Sequence, residues 1–142
     1  MRVFLDATCW VAAAGSPSGG SAELLRLARA NAFRIITTPL VLVEAERNIL
    51  AKLPREAMSR FLVDVHQTDI EVGVETSQHD IARWIHLVAQ KDAHVLAGAY
   101  LTGSDVLVSL DRRHILTSAV REGFPILVQD THEFFAALKA GR

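Results

Sequence analysis

Five short apolar runs alternate with stretches of helical spacing, and this alternation restricts the fold more than any other feature of the chain. Arg2 to Leu5 is apolar after its first residue and closes on Asp6. Arg34-Ile35-Ile36-Thr37-Thr38 is rich in β-branched residues, which favour extended backbone. Asp69 to Val74, Asp105 to Ser109 and Ile126 to Val128 complete the set. Runs this short and this apolar are buried on both faces, the mark of a parallel sheet. The expected class is therefore α/β, a three-layer α/β/α sandwich around a five-stranded parallel sheet.

Turn and cap residues place the helices between these strands. Gly15 to Gly20 reads as a loop, after which Ser21 is expected to cap a helix with Ala22, Leu24, Leu25, Leu27 and Ala28 on its apolar face. Pro39 suits the first turn of a helix to about Lys52, and Pro54 opens another to about His66. Ser77 is expected to cap a helix carrying Ile81, Ala82, Ile85 and Val88. Asp92 is expected to open the next, to about Leu101. A helix near Ile115 to Arg121 and a last one, capped by Thr131 and ending at Gly141, complete the pattern. With 142 residues, no repeat and no linker, residues 1–142 are expected to form a single domain.

The formal net charge of −1 argues against a tight, sequence-reading nucleic-acid binder. It leaves room for an enzyme that meets phosphates at one small site. The lone cysteine, Cys9, excludes an intrachain disulfide, suits a reducing cytoplasm and is expected to be a small buried apolar residue. Asp6 arrives too early for a signal-peptide apolar region, and no run approaches the ~20 residues needed to span a bilayer. A soluble, cytoplasmic protein with no membrane association is expected.

The acids carry the chemistry. Asp6 ends the first strand and Asp111 lies just past the fourth, so both stand at the carboxyl edge of the sheet, where ligands bind in such folds. The helix opened by Asp92 leads back to the fourth strand, which puts its start at the same edge. Glu44 sits roughly 8 Å down its helix at 1.5 Å per residue, and its long side chain leans back toward the helix start. Asp105 enters the fourth strand from the opposite edge and is expected to cap the turn after Gly103. Each acid has a plain structural use as well: Asp6 as a cap, Asp92 at a helix start, Asp111 in a turn, Glu44 paired with Arg47 or Asn48. Their convergence on one edge carries the functional reading. Four carboxylates in one pocket repel unless a cation joins them. Oxygen ligands suit Mg²⁺ or Mn²⁺, as one ion or two. Such an ion makes water nucleophilic and stabilises in-line displacement at a phosphodiester.

Val3-Phe4-Leu5-Asp6, the segment from Thr38 to Glu44, the segment from Lys91 to Ala99 and that from Asp105 to Asp111 together resemble the PIN-domain family. The likeness runs over nearly the whole chain. Ser16-Pro17-Ser18-Gly19 and Glu23-Leu24-Leu25 resemble a loop and helix of one bacterial branch. The resemblance implies a PIN-like five-stranded parallel sheet and Mg²⁺- or Mn²⁺-dependent endoribonuclease activity. It implies that Asp6, Glu44, Asp92 and Asp111 are both the catalytic and the metal-binding residues. It also implies an RNA substrate, a homodimer and, as in VapC-type toxins, pairing with an antitoxin protein. Thr8 stands where the family often has Asn or Ser, and Ser109 where Thr is commoner; both hydroxyls are expected to orient carboxylates. Lys91 precedes Asp92 where the family often carries further acids, which leaves the second ion position open.

The other motifs point elsewhere only weakly. The six histidines show no HExxH or clustered spacing for zinc. Arg112, Arg113 and His114 are candidates to touch a substrate phosphate, weighed against a solvated helix start. Trp10 and Trp84 read as core or interface packing. The glycine-rich loop lacks the Lys-Ser/Thr of a P-loop, and no serine sits in a nucleophile elbow. Two other function classes remain in play. One is a catalytically idle PIN-like binding module. The other is a haloacid dehalogenase-type phosphatase, although Thr8 stands where that chemistry usually has its second acid.

Overall fold

The computed structural model describes residues 1–141. Five parallel strands stand in the order β3-β2-β1-β4-β5. They are β1 (Arg2–Leu5), β2 (Arg34–Thr37), β3 (Ile70–Val72), β4 (Val106–Val108) and β5 (Leu127–Gln129). Phe4 is in register with Ile36 on one side and Leu107 on the other, so β1 lies at the centre. The helices are α1 (Ala7–Gly15), α2 (Gly20–Arg29), α3 (Pro39–Lys52), α4 (Arg55–Gln67), α5 (Gln78–Ala82), α6 (Gln90–Leu101), α7 (Ser118–Gly123) and α8 (Thr131–Lys139). From β1 to β3 the chain steps one way across the sheet, and from β3 to β5 it steps the other. Right-handed crossovers therefore put α1 to α4 on one face and α5 to α7 on the other. The contacts agree: α1 packs on α2, α3 and α4, and α5 packs on α6. The strand order reverses between β1 and β4, which makes the carboxyl ends of these two strands the switch point of the sheet.

Strand sequence explains the core. Val3, Phe4, Ile35, Ile36, Leu107 and Val108 are fully buried, so both faces of the central strands are covered. At Gly98 an added Cβ would stand 3.0 Å from the Phe4 ring and 2.9 Å from Thr38. The missing side chain lets α6 lie close against β1 and β2, which fixes the helix that carries Asp92 and His94. Among the described residues, no helix is long and apolar enough to cross a membrane.

Several helix starts differ from the sequence expectation, for local reasons. Gly19, not Ser21, is the N-cap of α2, and Ser21 is buried within it. Asp130 caps α8 in a box with Glu133, one residue ahead of Thr131. Asp92 lies in the first turn of α6, which begins at Gln90. The segment after Asp111 forms turns, and α7 starts only after its cap, Thr117. The helix expected to run from Ser77 to Val88 stops at Ala82. Beyond it the backbone closes tighter i to i−3 bonds, Trp84 to Ile81 and Leu87 to Trp84. That turn buries Trp84 against Phe124 and leaves Ile85, assigned to the apolar face, 52% exposed.

Candidate metal centre

Asp6 leaves β1 with extended backbone and caps α1, with its carboxylate 3.3 Å from the Cys9 N–H. It is buried. Thr8 donates its hydroxyl to Oδ1 and Ser109 donates to Oδ2. Each hydroxyl then accepts a backbone N–H from the segment after β4: Leu110 on Thr8 at 2.9 Å, Asp111 on Ser109 at 3.0 Å. The ends of β1 and β4 are thus joined through one carboxylate at the switch point. Burial pushes the Asp6 carboxyl up to about 6; the Ser109, Thr8 and Cys9 donors oppose this, and nearby Asp111 adds to it.

Asp111 folds its own turn. Its Oδ1 accepts the N–H groups of Arg113 at 3.1 Å and His114 at 3.0 Å, and its Oδ2 lies 3.1 Å from His114 Nδ1. Asp92 approaches from the start of α6. Its Oδ2 is buried and has no hydrogen-bond partner among the described residues. A buried carboxylate oxygen without a donor is costly, so native structures rarely leave one bare. The Asp92 carboxyl is raised mainly by burial; Asp111 and Glu44 raise it further, while His114 and Lys91 oppose them. One ligand atom each from Asp92, Asp111 and His114 lie within 4.8 Å of one another. An orphaned oxygen, a second carboxylate and an imidazole at this spacing fit a divalent cation.

Glu44 belongs to a neighbouring pair. Its Oε1 lies 2.9 Å from Nε2 of the buried His94, whose Nδ1 has no partner among the described residues. Asn48 donates to the Glu44 backbone carbonyl at 2.9 Å and leaves the carboxylate alone. Glu44, His94 and Lys91 line an open depression beside the start of α6. The charge of Glu44 is felt at Asp92, but its oxygens stand outside the group formed by Asp92, Asp111 and His114. Of the four acids expected at this edge, two bring ligand atoms together, Asp6 is tied to them through Ser109, and Glu44 is held by His94.

Neither His94 nor His114 belongs to a histidine pair at metal-ligand spacing in the sequence. Asp111 and His114 carried a local signal, a turn acid followed three residues later by an imidazole. His94 carried none, because its partner comes from α3. Arg112 pairs with Asp130 at 2.9 Å and stays 74% exposed, while the Arg113 side chain is exposed. Asp105 lies at the opposite edge as expected, with a different partner: its Oδ2 accepts the Arg2 N–H at 2.7 Å and so caps the start of β1. Cys9, Trp10 and Trp84 are buried in the core.

The PIN-domain sequence profile matches residues 3–131, and the chain belongs to the PIN-domain family. No curated protein matches it. The fold is similar to that of PAE2754 from Pyrobaculum aerophilum, with TM-score 0.67 and 18% identity over 99% of this chain and 96% of that one. It is also similar to VapBC2 from Rickettsia felis bound to a promoter DNA fragment, with TM-score 0.63 and 16% identity over 92% and 98% of the two chains. A third likeness is to Mycobacterium tuberculosis VapC20, described as a Sarcin-Ricin loop cleaving toxin, with TM-score 0.62 and 16% identity over 86% and 95%. At these identities the likeness is one of fold.

Proposed function

We propose that this chain is a Mg²⁺- or Mn²⁺-dependent endoribonuclease, the toxin of a type II toxin–antitoxin pair. The observation that carries the reading is the bare, buried Oδ2 of Asp92 beside Asp111 at the carboxyl edge of a PIN sheet. The fold likeness to a toxin that cleaves RNA and to a VapBC complex supports it.

In this reading Asp6, Glu44, Asp92 and Asp111 form the catalytic acidic set, and Asp92 and Asp111 would hold the ion directly. A bound divalent ion supplies Lewis-acid stabilisation of the phosphodiester and a nucleophilic water. Asp6 adds negative charge and, through Thr8 and Ser109, fixes the segment that carries Asp111. Glu44 adds its charge from the His94 side. Arg113 is free to meet a substrate phosphate, while Arg112 holds the same loop to Asp130. An antitoxin would cover the pocket or its rim, and a basic side chain from it would compete with metal for the carboxylates. The toxin would act in the cytoplasm as a homodimer.

The test is incubation of the purified chain with RNA in Mn²⁺ or Mg²⁺ and in EDTA. Cleavage in metal that stops in EDTA supports the reading. A folded, metal-binding chain that leaves RNA intact would instead be an idle PIN module.

A further inference from the structure

The acidic set alone does not describe the environment of Asp92. The imidazole of His114 stands with Asp92 and Asp111 inside the same 4.8 Å group, on a turn whose backbone is fixed by Asp111. We propose that His114 is a direct ligand of the ion, and that this nitrogen turns the site toward Mn²⁺ and away from Mg²⁺. The inference rests on the metal-dependent reading above.

Three observations carry it. First, His114 Nδ1 lies 3.1 Å from Asp111 Oδ2, so ring and carboxylate already share one space. Second, Asp92 Oδ2 is buried without a donor, and a hydrogen bond between His114 and Asp111 does nothing for it. A cation shared by all three residues satisfies the Asp92 oxygen as well. Third, the His114 side chain is 34% exposed, which leaves an open side for water and a substrate phosphate.

The donor set then decides the metal. Mg²⁺ demands oxygen ligands in near-ideal octahedral geometry and sheds water reluctantly. Imidazole is a ligand of transition metals, and Mn²⁺ accepts both imidazole and carboxylate. Two carboxylates with one imidazole therefore favour Mn²⁺ relative to a site made of carboxylates alone.

The experiment uses the full metal-free chain, with Mn²⁺ binding followed by electron paramagnetic resonance and the bound ion examined by electron spin-echo modulation. Wild type, His114→Ala, His114→Gln and His94→Gln are compared. Wild type should show modulation from a directly bound ¹⁴N nucleus. Both His114 variants should lose it and bind Mn²⁺ about tenfold or more weakly. Their Mg²⁺ affinity, measured by displacement of Mn²⁺, should change by less than about threefold. His94→Gln should keep the modulation. If the His114 variants fail to fold, the wild-type and His94→Gln spectra decide: coupling present in wild type and kept in His94→Gln supports His114, and coupling absent in wild type or lost in His94→Gln overturns it. Bound Mn²⁺ without nitrogen coupling in wild type, or coupling that survives in His114→Ala, overturns the ligand and leaves the metal-dependent reading standing. Failure of wild type to bind Mn²⁺ overturns both.

Discussion

The Ser109 hydroxyl donates to the buried carboxylate of Asp6 and accepts the Asp111 N–H at 3.0 Å, so one side chain ties two acids together across the switch point. Ser109→Ala leaves both an Asp6 oxygen and a backbone N–H unpaired in a buried site. The expected cost is about 1–3 kcal/mol. Metal affinity should fall roughly 10- to 100-fold, as when groups that orient ligands are removed. Thr8→Ser keeps its hydroxyl and should stay within about 1 kcal/mol of wild type. Denaturant unfolding and Mn²⁺ titration check both. A Ser109→Ala protein with unchanged stability and affinity would contradict the role given to this link.

Asp105 and Asp111 flank the same strand and lie at opposite edges of the sheet. Asp111→Asn should reduce RNA cleavage to background while the protein stays folded. Asp105→Asn should keep metal-dependent cleavage, because its amide oxygen can still accept the Arg2 N–H. Some stability is lost with the charge. Cleavage rates and thermal midpoints of the two variants decide the matter, and a dead Asp105→Asn beside an active Asp111→Asn would place the site at the wrong edge.

Burial, only partly offset by the Ser109 and Thr8 donors, gives Asp6 an opposite pH signature to Glu133. The Asp6 carboxyl is raised from 3.8 to about 6, so the folded metal-free protein favours its neutral form. That contribution is full below about pH 4 and is lost as pH rises through about 6. In EDTA, Asp6→Asn should therefore gain on the order of 1–3 kcal/mol over wild type near pH 7, and the gain should vanish below about pH 4. Glu133 is lowered from 4.5 to about 2 by Arg121 and by the Asp130 N–H. Its contribution is present above about pH 4.5 and lost as pH falls toward 2, so Glu133→Gln should be less stable than wild type near pH 7 and converge with it in acid. Thermal midpoints from about pH 3 to 8 test both signs.

Sequence made some of this legible and not the rest. The carboxyl edge followed from where apolar runs stop, so Asp6 and Asp111 were visible as strand-end acids. Thr8 and Ser109 were visible as hydroxyls beside them. The pairing of Glu44 with His94 was not, because it depends on how closely α6 approaches the sheet, which the bare Gly98 backbone decides. Arg112 was a candidate phosphate contact or a solvated helix-start residue, and its ion pair with Asp130 was not visible because that acid lies at the end of another strand. The early stop of α5 turns on the burial of Trp84, a tertiary preference that overrides the helical spacing of Ile81, Ile85 and Val88.

The central claim is hydrolysis at a metal site built on Asp92 and Asp111, and the chemistry of the cut ends tests it most directly. Water attack at the phosphodiester leaves a 5′-phosphate and a 3′-hydroxyl. Attack by the ribose 2′-hydroxyl needs a general base and leaves a cyclic 2′,3′-phosphate. End mapping of RNA cut by the wild-type chain should find 5′-phosphate ends formed in Mn²⁺, absent in EDTA and absent with Asp111→Asn. Cyclic 2′,3′-phosphate ends, formed equally well in EDTA, would contradict the account.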